Sequence, residues 1–217
     1  MKLALLVSVV FFLSGPLYAV PTLQLYIPGS EYDPATESWL IVADEFELQV
    51  LGAKSPEWVW RIEDVQLHIA VPQEYWGEGS VTVEGLGTVS SADFTFGKPE
   101  GLPPHGIYPT YYHTFALPDL LVGEAGETVY NYNPGESGSD TGDVQTYHIS
   151  YEGFFMIHMD LTGIAVSQDG SREDFKFAPF SHDADSVVPE PGTLLLLGSG
   201  LLGLGAYFGR KKGRART

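Results

Sequence analysis

Phe46-Glu47-Leu48-Gln49-Val50 and, further along, Val65-Gln66-Leu67-His68-Ile69-Ala70 each place an apolar side chain at every second position. Successive side chains of a strand point to opposite faces, so a period of two marks a strand with one face turned to a core. Thr22 to Ile27 alternates in the same way. Shorter runs follow at Val81-Thr82-Val83, Phe94-Thr95-Phe96, Thr128-Val129-Tyr130, Gln145 to Tyr151 and Phe154 to Leu161. Turn formers bound them: Pro28-Gly29, Asp33-Pro34, Gly77-Glu78-Gly79, Lys98-Pro99-Glu100-Gly101 and Asn133-Pro134-Gly135. Those intervals leave no room for helices between strands. The pattern predicts an all-β fold: a two-sheet antiparallel sandwich of jelly-roll or Ig-like kind, formed as one domain by residues 20–187. Residues 135–143, polar and rich in Gly and Ser, are expected to form an exposed loop.

Composition narrows the chemistry. The 217 residues are 44% hydrophobic and 13% aromatic, enough for a core, and contain no cysteine, which excludes disulfides and thiolate sites. Net charge is −17, but five of the eleven cations lie in the last eight residues. Residues 20–192 hold five cations against all 28 acids. A surface of that sign repels phosphate backbones, so nucleic acid is excluded as a partner.

Both ends differ from the middle. Lys2, the apolar run Leu3 to Leu13, Gly15-Pro16 and Ala19 have the order of a secretory signal peptide over residues 1–19. Eleven helical residues cover roughly half of a ~30 Å hydrocarbon core, which argues against an uncleaved anchor. Cleavage by signal peptidase after translocation is expected to leave Val20 first. At the other end, Val188-Pro189-Glu190-Pro191-Gly192 precedes an uncharged apolar stretch over 193–209 and then the basic group Arg210, Lys211, Lys212, Arg214 and Arg216. Its charge-free core from Thr193 to Phe208 makes roughly 24 Å of helix, a short transmembrane span whose cations stay in the cytoplasm. The middle of the chain then lies outside the membrane.

This order of Pro-Glu-Pro, apolar helix and basic tail closely resembles the PEP-CTERM sorting signal of Gram-negative bacteria, here over residues 188–217. The resemblance implies an exosortase as processing partner, a transient stay in the inner membrane, and delivery to the cell surface or an exopolysaccharide matrix. Two prolines keep the junction extended and reachable. Leu102 to Tyr112, Pro179 to Ala184 and Tyr32 to Trp39 are in turn similar to the choice-of-anchor N bacterial surface proteins, a resemblance that brings no activity with it.

Candidate chemistry in the middle is sparse. His105 and His182, with Asp183, offer imidazole and carboxylate for one metal or acid/base site, or else His105 belongs to a proline-stiffened crossing whose Tyr108, Tyr111 and Tyr112 pack on a sheet. His158 and Asp160 share a strand face, and His148 in the preceding strand would join them across a hairpin as three zinc ligands. Glu136, Asp140 and Asp143 offer oxygens to calcium but lack EF-hand spacing. Trp58 and Trp60, two apart, make either a sugar-stacking platform or core packing. No nucleophile elbow, zinc-protease helix, Walker loop or dinucleotide fingerprint occurs. The expectation is an exported, non-catalytic protein without cofactor. A carbohydrate-binding module is the alternative, and a glycan hydrolase is a more distant one.

Overall fold

A computed structural model describes residues 19–104 and 106–188 of the chain. Residues 1–18 of the expected signal peptide, His105, the Pro189 to Gly192 part of the sorting motif, the apolar stretch and the basic tail lie outside them. Among the described residues no helix is long and apolar enough to cross a membrane.

The described residues are all-β, with two mostly antiparallel sheets and only single turns of 3-10 helix. The first sheet contains β1 (Leu23–Tyr26), β4 (Glu45–Ala53), β6 (Ser80–Val83), β7 (Gly87–Ser90), β10 (Glu127–Tyr130) and β11 (Ser139–Glu152). Its order is β1-β4-β11-β6-β7, and β10 also pairs β11. The second contains β2 (Glu31–Asp33), β3 (Ser38–Val42), β5 (Val59–Val71), β8 (Thr95–Gly97), β9 (Thr110–Ala116), β12 (Met156–Ser167), β13 (Glu173–Phe177) and β14 (Asp183–Val187). Its order is β2-β3-β14-β12-β5-β9-β8, and β13 also pairs β12. The parallel pair is β14 with β3.

Alternation decides what each strand buries. In β4, Phe46, Leu48 and Val50 are buried, while Glu47 is exposed and Gln49 half-buried. In β5, Val65, Leu67, Ile69 and Val71 turn inward, and β12 contributes Ile157, Met159 and Leu161 to the same core as Leu23, Leu25, Val81 and Ile149 of the first sheet. The two sheets thus share one interior. Each fully buried Leu or Ile adds about 1.5–3 kcal/mol relative to exposure.

Two expectations need correction. Residues 135–143 are not one loop: Ser139 opens β11, and Asp140 pairs with Val129 of β10. Nor are β11 and β12 a hairpin. The chain changes sheets between Glu152 and Met156, so β11 lies beside β4 and β6 while β12 lies between β14 and β5. Aromatic residues around Gly153 pin that corner: Phe154 lies within 5.7 Å of both Trp76 and Phe94, ring centre to ring centre.

Candidate functional site

The outward face of the second sheet carries the site. Because Met159 and Leu161 face the core, His158, Asp160 and Thr162 face away from it. Register then places Asp185 beside His158 on one side and His68 beside Asp160 on the other. Asp183 and Asp185 share their face of β14 by the same period of two. An outward sheet face is ordinarily wet, yet His158 is 8% exposed, Asp160 0%, Asp183 2% and Asp185 2%. The crossing ahead of β9 accounts for part of that cover, since Tyr108 donates from its hydroxyl to Asp160 Oδ2 at 2.6 Å.

The geometry converges on one imidazole. His158 Nδ1 donates to Asp185 Oδ1 at 2.6 Å. Ser38 Oγ donates to the other oxygen of Asp185. The opposite ring nitrogen, Nε2, lies 3.4 Å from Asp160 Oδ2 and 3.9 Å from Asp183 Oδ2. Among the described residues, His158, Asp160 and Asp183 are a set whose ligand atoms all lie within 4.8 Å of one another. Beside them opens a cleft of about 610 Å³ whose walls include Pro72, Tyr75, Gly106 and Ile107, with His158 and Asp185 on its lining.

Burial works against charge on His158, but the carboxylates of Asp160 and Asp185 outweigh it and hold the imidazole well above its ordinary value. Burial, with Asp160 next in size, pushes the Asp183 carboxyl well above the usual carboxylate range. Burial also raises the Tyr108 phenol, reinforced by Asp160. The five cations of the described chain are used elsewhere: Lys54 pairs Glu57, Arg61 pairs Glu63, Lys176 pairs Asp174, Lys98 bonds the Leu102 carbonyl, and Arg172 stacks on Trp58.

The sequence candidates regroup accordingly. Asp183 joins His158 and Asp160, not His182. The His182 ring instead bonds Asn131 Oδ1 at 3.2 Å and Ser181 Oγ at 3.1 Å. His148, expected beside His158, is on the other sheet and pairs Glu45 at 2.9 Å. The calcium oxygens are already engaged: Glu136 accepts from the Asn131 amide, Asp143 from the Leu121 N–H and Asp140 from the Thr141 N–H. Trp58 and Trp60 do come together, lining a shallow groove of about 470 Å³ with Lys54, Glu57 and Gln168. Both are half-buried, and strand pairing starts at Val59 rather than Glu57. One face of Trp58 carries the Arg172 guanidinium at 3.9 Å, and Trp60 lies against Gly123. Asp185 and Ser38 escaped the sequence reading, although Asp183-Ala184-Asp185 has the same period of two as His158-Met159-Asp160.

At the end of β14, Val188 N–H bonds the Phe155 carbonyl at 2.9 Å, and Pro189, with no N–H to give, follows at once. A model of the PEP-CTERM protein-sorting motif matches residues 187–212. No curated protein matches the chain. Among solved structures, that of AvmM, which catalyzes macrocyclization in alchivemycin A biosynthesis, overlays 78% of this chain and 90% of its own at 10% identity and a TM-score of 0.34, too low to carry an argument.

Proposed function

From the PEP-CTERM motif at residues 187–212 we propose that this is an exported protein whose C-terminus is sorted and processed by an exosortase. The secretory translocon carries the chain out and signal peptidase removes residues 1–19. The 193–209 helix holds it in the inner membrane with Arg210 to Arg216 in the cytoplasm. Cleavage near Pro189-Glu190-Pro191 then frees a two-layer sandwich, of choice-of-anchor N kind, to act without catalysis at the cell surface or in an exopolysaccharide matrix. The motif match carries this reading. It is supported by the sequence after the Val188 N–H bond to Phe155, because Pro189 and Pro191 have no N–H with which to extend a ladder through the motif. The test is a pulse-chase of the full chain bearing one tag after Ala19 and another after Thr217. Early loss of the distal tag is expected, and both tags persisting in the inner membrane would reject the proposal.

A second reading, carbohydrate binding, rests on the groove beside Trp58 and Trp60. Stacking on Trp60, the ring without a guanidinium over it, predicts that Trp60→Ala weakens retention of the full chain on the host exopolysaccharide. Equal retention of wild type and variant argues against it.

A further inference from the structure

We propose that His158 Nε2, Asp160 and Asp183 bind one divalent transition-type cation, Zn2+ by preference, and that this ion clasps the last strand of the fold to its centre. The inference goes beyond sorting and is independent of it.

Ligand chemistry comes first. One imidazole nitrogen with two carboxylates is a donor set for zinc and its neighbours, whereas calcium takes oxygens. Spacing agrees. With metal–ligand bonds of about 2.0–2.1 Å, two ligands of a tetrahedral ion stand roughly 3.3 Å apart. Nε2 lies 3.4 Å from the Asp160 oxygen and 3.9 Å from the Asp183 oxygen, close to that separation, and all three ligand atoms lie within 4.8 Å of one another.

Orientation is the second, separate observation. A ligating histidine ordinarily gives its other ring N–H to a carboxylate, which fixes ring and tautomer. Here Nδ1 donates to Asp185 at 2.6 Å, and Asp185 is itself held by Ser38 on β3. Tyr108 performs the same service for Asp160 from the crossing above. Such second partners point Nε2 at the two carboxylates. Access is available as well, because the ligand His158 and its orienting partner Asp185 line the 610 Å³ cleft, while Asp160 and Asp183 are buried.

The alternative occupant of this space is a proton: an imidazolium held among Asp160 and Asp183, with Asp185, Tyr108 and His68 as the other titratable groups around it from β14, the crossing and β5. The two cases differ in a direct measurement. Full chain without affinity tag, purified in detergent and stripped with chelator, is titrated with zinc chloride. One equivalent is expected, and Co2+ in its place is expected to give the intense visible bands of a four-coordinate site. Asp183→Asn, folded by far-UV circular dichroism, should lose uptake. Asp185→Asn should bind about 10–100-fold more weakly, since it disturbs only the orienting bond. His148→Ala, remote on the other sheet, should still take one equivalent. The cobalt spectrum needs no variant, so a misfolded mutant does not remove the test. Wild type that takes up no Zn2+, a weak octahedral cobalt spectrum, or equal uptake by wild type and Asp183→Asn each overturns the proposal.

Discussion

His68 makes the fold acid-labile in a calculable way. Its ring sits 2% exposed on β5, with Nδ1 2.9 Å from the Thr114 hydroxyl and Nε2 2.9 Å from the Thr162 hydroxyl. Both hydroxyls rotate to serve a neutral ring. Burial pushes its pKa down to about 4 from the ordinary 6.5, against a smaller upward pull from Asp160. Between those values the unfolded chain binds a proton that the folded chain refuses, so stability falls as pH falls. At 1.36 kcal/mol per pKa unit, the loss relative to pH 7.5 is about 2 kcal/mol by pH 5 and about 3 kcal/mol by pH 4. His158 and Asp183, whose values are raised, work in the opposite direction, so the total curve does not isolate His68. The difference from His68→Gln does. Urea unfolding of the full chain, followed by tryptophan fluorescence, should show the wild-type advantage over this variant shrinking by about 2 kcal/mol between pH 7.5 and 5. Curves that run parallel, or a His68 NMR titration midpoint at or above 6.5, would show that burial does not hold this ring neutral.

Other perturbations test register, core and junction. A Cβ at Gly142 would stand 2.0 Å from the Gly52 carbonyl oxygen and 2.6 Å from a Val129 methyl, so Gly142→Ala should cost about 3 kcal/mol or prevent folding. An unchanged urea midpoint would contradict the β4–β11 pairing. Leu67→Ala, at a position with no exposure and in the shared core, should cost about 2–5 kcal/mol in the same assay. Replacing Pro189 and Pro191 together by Ala should leave the precursor uncut while urea unfolding of the sandwich stays as in wild type, checked by immunoblot of membrane fractions. Normal processing of that double variant would separate cleavage from the motif.

Sequence legibility followed the number of faces a strand buries. β4 has one, and Phe46, Leu48 and Val50 stood out against Glu47 and Gln49. β5 has nearly two toward its end. There His68 and Ala70 lie under cover, so the polar half of the alternation did not mean solvent. His68 is held there by Thr114 and Thr162, and the crossing ahead of β9 contributes Tyr108, whose bond to Asp160 spans 52 positions in the chain and leaves no local mark. The same distance hid the site's membership. His158 and Asp160 were visible as a pair, but a short Gly153 turn suggested a hairpin with His148, whereas packing of Trp76, Phe94 and Phe154 directs the chain into the second sheet. β14 went unread because Asp183-Ala184-Asp185-Ser186-Val187 is too polar to look like a strand. It becomes one by lying between β3 and β12, with Ala184 alone of its first three residues facing the core. The C-terminal sorting motif needed no tertiary contact, and the family match at residues 187–212 falls on the stretch where the sequence places it.

On the proposed function, the last part of the chain is a removable sorting signal on an exported sandwich. Mass spectrometry of the protein recovered from the cell surface tests it most directly. The expected species begins at Val20 and ends near Pro189-Glu190-Pro191, without the 193–209 stretch or the basic tail. Surface material that still ends at Thr217 would contradict it.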